Sequence, residues 1–141
     1  MSNVQCELCE VQGDVIAASA QWRVILVNDA NYPGFCRVIW HAHVKEMTDL
    51  SEAERAEFMR VVWQVESAQR EIMQPHKINL ASFGNMVPHL HWHVIPRYTD
   101  DAHFPQPIWA AANSALPEPQ SLLARFSLLP QLRAAIQSRL S

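Results

Sequence analysis

Glycine is scarce in this chain, with three residues in 141 against five tryptophans. That shortage argues against a loop-rich architecture and for a dense fold. Basic residues are also few: 11 Lys and Arg stand against 14 Asp and Glu, a net charge of −3. No cationic surface is available to grip a phosphodiester backbone, so a nucleic-acid polymer is not an expected partner, although a small nucleotide is not excluded. No apolar run approaches the roughly 18 residues of a membrane span, so no membrane association is expected. The first residues, Met1 to Glu7, lack a basic segment followed by an apolar one, and the expected location is the cytoplasm. The three cysteines, Cys6, Cys9 and Cys36, are too few and odd in number for a disulfide framework. Cys36 lies in an apolar run and reads as a small buried residue. Cys6 and Cys9 form a C-x-x-C spacing, which suits a redox pair or half of a zinc site. A redox pair normally follows a strand, and nothing here precedes it.

What is present fits one domain over residues 1–141, with 49% apolar content. Residues 15–19, 22–28 and 35–40 read as strands, with a turn-rich loop at Asn28–Gly34. Ser51 and Glu54 have capping-box spacing and start a helix. Phe58, Val61, Val62, Val65, Ala68 and Ile72 form its apolar stripe, and Pro75 stops it. Residues 77–82 form another strand, and 120–140 a C-terminal helical region with Leu122, Leu123, Phe126 and Leu129 apolar before Pro130. One long helix among strands implies an α+β fold with an antiparallel sheet.

The sharpest feature is His89-Leu90-His91-Trp92-His93, continued by Val94-Ile95-Pro96-Arg97. Strict alternation reads as a β-strand with all three imidazoles on one face, over roughly 13 Å, and Leu90, Trp92 and Val94 turned into a core. Three titratable rings on one apolar strand mark a chemical site. Two functions are open: binding a metal outright, or presenting a histidine nucleophile with supporting histidines.

His-φ-His-φ-His-φ-φ, with φ apolar, is met in full by His89 to Ile95, and the chain resembles the histidine triad family. The resemblance covers roughly residues 4–98, leaving 99–141 as a C-terminal extension. It takes in Cys6-x-x-Cys9, Pro33-Gly34, His43-Val44, Thr48-Asp49-Leu50-Ser51, Asn79 and Gly84-Asn85. It implies a small α+β domain that pairs into a homodimer and acts on phosphoanhydride or phosphoramidate bonds of a nucleotide substrate. His91 matches the nucleophile that attacks the α-phosphorus, and His93 the histidine that faces the phosphate. In zinc-containing branches the first triad histidine joins two cysteines and an earlier histidine, here His89, Cys6, Cys9 and His43. That set would hold a structural Zn²⁺.

Asn28 matches a ribose-contacting position, with Asp29 as its neighbouring candidate, and Asn79 matches a substrate-contacting asparagine. Where relatives carry Gly-Gln-Ser/Thr-Val, this chain has Gly84-Asn85-Met86-Val87. Asn85 can replace the Gln amide with a shorter reach, but Met86 cannot donate a proton. Trp40-His41-Ala42-His43 likewise lacks the basic residues of the usual Pro-Lys-Arg-His. Arg97 is available either to a distal phosphate or to a surface ion pair. Phe104 and Trp109 could shape a pocket, while His76 and His103 have no evident partners and read as surface residues. The expected function is a nucleotide hydrolase or nucleotidyl transferase. Its rivals are a non-catalytic nucleotide- or partner-binding module and a metallohydrolase with all three histidines on one zinc.

Overall fold

Strands β1 (Asp14–Ala18), β2 (Trp22–Leu26), β3 (Cys36–Trp40), β4 (Lys77–Ala81) and β5 (His91–Arg97) form one antiparallel sheet in the order β1-β2-β3-β5-β4. The computed structural model describes residues 6–141, so the reading of the first five residues lies outside it. The alternation of β-branched and aromatic residues gives the sheet two faces of different character. Trp22, Val24, Cys36, Val38, Trp40 and Val94 face helix α2 (Glu52–Met73) and make the main core. The opposite face is set by register: Arg23 stands opposite Ile39, Ile39 opposite His91, and Arg37 opposite His93. It carries the histidines and three arginines, Arg23, Arg37 and Arg97.

Helix α2 starts with the expected reciprocal cap. The Glu54 N–H donates to Ser51 Oγ at 3.2 Å, and the Ser51 N–H to Glu54 Oε1 at 2.8 Å. Phe58, Val61, Val62, Val65 and Ala68 are fully buried, whereas Ile72 is only partly so. Burial of the larger of these side chains contributes about 1.5–3 kcal/mol each. The helix ends at Met73, before Pro75, because Gln74 adopts the left-handed conformation. Gly34, at φ +88°, precedes β3. A Cβ there would collide with Met73 Sδ, so the α2 end and this turn fit only around glycine.

The C-terminal region is two helices, α3 (Pro119–Phe126) and α4 (Leu129–Leu140). Pro130 sits in the first turn of α4, where its missing N–H is not needed. Leu132 and Ile136 are fully buried against α2 and β1, so the extension completes the main core. By contrast α3 buries no residue fully, and Leu123 is exposed. Residues 99–113 fold back over the histidine face, where Ala102 packs with Tyr32, Phe35 and Ile95. Among the described residues no helix is long and apolar enough to cross a membrane.

Candidate active site and metal centre

The triad is split by the end of a strand. β5 begins at His91, so His89 lies outside the regular ladder that the alternation predicted for all three histidines. Pro88 supplies no N–H, and the His89 N–H turns back to the Val87 carbonyl at 2.8 Å. Leu90 resumes pairing: its N–H reaches the Val44 carbonyl, and its own carbonyl accepts from the Trp40 N–H. Leu90 and Val94 are in the main core and Trp92 packs partly against it, as the alternation implied.

His89 turns towards Cys6, Cys9 and His43. The four ligand atoms all lie within 4.8 Å of one another and could together hold a metal ion. His89 Nδ1 is 3.5 Å from Cys6 Sγ, 3.3 Å from Cys9 Sγ and 3.2 Å from His43 Nδ1. Its Nε2 lies 2.6 Å from the Trp40 carbonyl, which can only accept. Nε2 therefore carries the proton and Nδ1 presents its lone pair to the cysteines. The cysteines are placed by α1 (Glu7–Glu10), a single turn anchored by Leu8 against Ile25 and Ile39. Buried Arg23 fixes that turn by donating to the carbonyls of Leu8, Val11 and Gln12 at 2.9, 2.9 and 3.0 Å. Cys36 is buried away from this cluster, and burial pushes its thiol up to about 12.

His91 and His93 line a separate cavity of about 420 Å³ with Arg37, Asn85, Phe83 and Trp109 among its walls. Both are nearly buried, at 8% and 6% exposure. His91 Nδ1 lies 2.6 Å from the His89 carbonyl, so it holds the proton and leaves the Nε2 lone pair for the cavity. On His93 the tautomer is reversed: Arg37 Nε donates to His93 Nδ1 at 3.4 Å, which places the ring proton on Nε2. The two rings stand edge to face, 4.9 Å apart. Adjacent rings thus offer one lone pair and one N–H donor. Burial, the neighbouring His91 and Arg37 push His93 down to about 3, and burial also lowers His91. Both stay neutral near pH 7.

The expected substrate contacts divide. Asn85 lines the cavity, as does Met86, which is 93% exposed. Asn28 and Asp29 do not line it; Asp29 Oδ1 accepts the Asn31 N–H at 2.9 Å and shapes its own turn. Arg97 is neither a phosphate contact in this geometry nor a surface ion pair. It is 2% exposed, paired to Asp101 at 2.6 Å, and donates to Asn79 Oδ1 at 2.6 Å and the Gln106 carbonyl at 2.7 Å. Asn79 is thereby engaged as well. His103 has partners after all, since its Nδ1 meets the Tyr32 hydroxyl and its N–H donates to Asp101. The His76 Nδ1 accepts from the Thr99 N–H.

Arg37, Phe83, Leu8 and Glu7 were not legible as site residues. The available signal for Arg37 was an arginine inside an apolar strand, beside a strand carrying histidines. Trp109 does shape the cavity, stacked edge-on to both Phe83 and His93; Phe104 instead lies under the Arg97 guanidinium.

Known proteins place this arrangement. A curated relative from Mycobacterium tuberculosis, named AP-4-A phosphorylase, is 29% identical over 104 residues, covering 70% of this chain. The chain spans about half the length of that relative, 53%. The crystal structure of a histidine triad protein from Bradyrhizobium japonicum is 31% identical, covers 83% of this chain and 87% of its own, and superposes with a TM-score of 0.67. A Zn-bound histidine triad family protein from Mycobacterium smegmatis shares the fold at 21% identity and TM-score 0.59, covering 95% of this chain and 99% of its own. Residues 9–100 match the HIT domain family, and the protein belongs to the histidine triad family.

Proposed function

We propose that the protein is a nucleotide hydrolase or nucleotidyl transferase that cleaves a phosphoanhydride or phosphoramidate bond at the α-phosphate. The pairing of opposite tautomers at His91 and His93 carries this reading. His91 Nε2 attacks the α-phosphorus with its lone pair, and the bond from phosphorus to the leaving oxygen or nitrogen breaks. The leaving group departs with that electron pair and takes a proton from solvent. The resulting nucleotidyl-imidazolium keeps its Nδ1–H on the His89 carbonyl, 2.6 Å away, which stabilises the new positive charge. His93 Nε2–H donates to a phosphoryl oxygen as negative charge builds. Water then attacks phosphorus, the P–N bond returns its electron pair to His91, and the water proton leaves to solvent. A second phosphate-bearing acceptor would give transfer in place of hydrolysis. The relative named AP-4-A phosphorylase supports a polyphosphate nucleotide as substrate. Of the substrate contacts the resemblance implies, Asn85 lines the cavity, whereas Asn79 and Arg97 are bonded to each other and Arg97 to Asp101, and Asn28 and Asp29 lie outside the lining.

Zinc fits the four-residue cluster. Zn–S and Zn–N bonds of about 2.3 and 2.05 Å at tetrahedral angles require S···N and N···N separations of about 3.5 and 3.3 Å. The 3.3–3.5 Å and 3.2 Å found here match. Zn²⁺ would be held by Cys6, Cys9, His43 and His89 as a closed structural ion, tying the N-terminal turn to the segment that delivers His91. The cytoplasm, which keeps thiols reduced, suits those ligands. A homodimer is part of this reading: among the described residues β4 is a free sheet edge, and Leu80 on it and Trp63 on α2 are exposed.

Met86, where a hydroxyl would assist the leaving group, favours one alternative, a nucleotide-binding module without turnover. Incubation with diadenosine tetraphosphate and with adenosine phosphoramidate decides between them. Release of AMP, lost in His91→Asn, is expected, with a nucleotidyl adduct on His91 trapped by mass spectrometry. Full turnover in His91→Asn would remove His91 as nucleophile.

A further inference from the structure

Three arginines share the histidine face of the sheet, and two of them give their guanidinium to acceptors of the chain itself. Arg23 spends its guanidinium on three carbonyls of the N-terminal turn. Arg97 spends its own on Asp101, Asn79 and Gln106. Arg37 is different. It is held at the register position opposite His93 in the middle of the sheet, half-buried, on the wall of the cavity that contains His91 and His93. Its one hydrogen bond is the Nε contact to His93, which leaves Nη1 and Nη2 without a partner among the described residues. It forms no ion pair there, and Glu7, the one carboxylate on the cavity wall, does not reach it. Its remaining support is the Phe35 ring, 5.8 Å below.

A half-buried guanidinium without an anion costs stability, because part of its hydration is lost and no opposite charge offsets it. Arg23 lacks an anion too, but three carbonyls take up its guanidinium; Arg37 alone of the three has both Nη groups without a partner among the described residues, and it stands beside His91 and His93. The fork is also of the right chemistry: planar, always charged, and able to give two parallel N–H bonds to phosphoryl oxygens.

We propose that Arg37 is a further substrate-binding residue, whose free Nη1 and Nη2 take the phosphoryl oxygens of the nucleotide at His91 while Nε keeps His93 in its donating tautomer. This rests on the nucleotide reading above and adds the residue that neutralises the phosphoryl charge. Arg37 then acts at two points of one transition state. It contacts charge directly, and it sets which nitrogen of His93 can donate.

The test is calorimetric titration of the full chain with AMP and with adenosine, for the wild type, Arg37→Met and Arg37→Lys, alongside thermal melts. The expected wild type prefers AMP. Arg37→Met loses about tenfold to a hundredfold in AMP affinity, the effect of removing charge-assisted hydrogen bonds, with adenosine binding unchanged. Arg37→Lys, which keeps a point charge without the fork, recovers part of the loss. The melting temperature of Arg37→Met should equal or exceed that of the wild type, since an uncompensated charge has been removed. Unchanged AMP affinity in Arg37→Met overturns the proposal. So does a marked fall in its melting temperature, which would make Arg37 structural like Arg97, and so does a wild type without preference for AMP. None of those outcomes touches the nucleophile assignment, which AMP release from diadenosine tetraphosphate and the His91 adduct decide separately.

Discussion

Arg37 and Arg97 lie on the same sheet face, on neighbouring strands, and differ in what surrounds their charge. Around Arg97 every demand is met. The Asp101 carboxylate accepts from two guanidinium nitrogens and from the N–H groups of Tyr98, His103 and Phe104. Burial alone would raise that carboxyl, but the Arg97 bonds and the three N–H donors outweigh it and bring it down to about 2. Around Arg37 burial lowers the guanidinium's own hold on its proton, and only the field of the unbonded Glu7 works against it. One end of the face is built to stay closed and to hold residues 99–113 over the sheet. The other is built to receive something. Charge on a buried face is structural where its partners belong to the chain, and functional where the partner must come from outside.

The largest expected effect breaks the closed end. Arg97→Met leaves Asp101 buried without its cation and should cost about 3–5 kcal/mol in urea unfolding. Because the freed segment carries Trp109, the same variant should loosen the cavity wall beside His93. Arg37→Met should show no such loss. Equal destabilisation of both variants would erase the contrast between the two ends.

Metal removal is the next largest, and it should act on the open end. An ion held at 100 to 1,000 times its Kd contributes about 2.7–4.1 kcal/mol of stability. Chelation should lower the melting temperature accordingly, and Cys9→Ala should show the lower value without chelator. Amide exchange is expected to rise over Glu7–Val11 and Val87–His91, which join the four-residue cluster to His91, and to stay constant over 97–104. A uniform rise over both regions would mean that the ion supports the whole sheet and not the site.

These contrasts are only partly visible in the sequence. Local rules suffice for α2, because a cap and an apolar stripe are properties of neighbouring residues. They do not suffice for the cluster of Cys6, Cys9, His43 and His89, which comes from the family resemblance, because C-x-x-C alone leaves a redox pair and half of a zinc site open. They fail where a residue's role depends on its opposite across the sheet. Arg97 looks free because Asp101 gives no sign, four residues on, of folding back under it. Arg37 looks unremarkable because only the β3–β5 register sets it against His93. Alternation assigns His89 to the strand because it cannot sense that Pro88 breaks the ladder. The C-terminal helical region reads as one stretch because nothing local shows that it divides into α3 and α4 at residues 127–128.

The smallest effect separates the two ends by acid. His93 sits at about 3 in the folded protein against an ordinary 6.5, chiefly through burial and then through the charges of His91 and Arg37. Between those values the unfolded chain binds a proton that the folded chain refuses. Stability from this group is therefore full above about pH 6.5 and is lost as pH falls towards 3. Asp101 works in a lower window: depressed from 3.8 to about 2, it holds its contribution down to about pH 3.8 and loses it below that. Urea midpoints measured from pH 7.5 to 4 should thus report the lowered histidines His89, His91 and His93 and leave out Asp101. His93→Gln should make the decline shallower in this range, leaving the share of His89 and His91. Arg37→Met should shorten it without abolishing it, since burial of His93 remains when the neighbouring charge is gone. A decline that persists unchanged in His93→Gln would mean that another group carries the acid sensitivity, and that the charge imbalance beside His93 is not what distinguishes this end of the sheet.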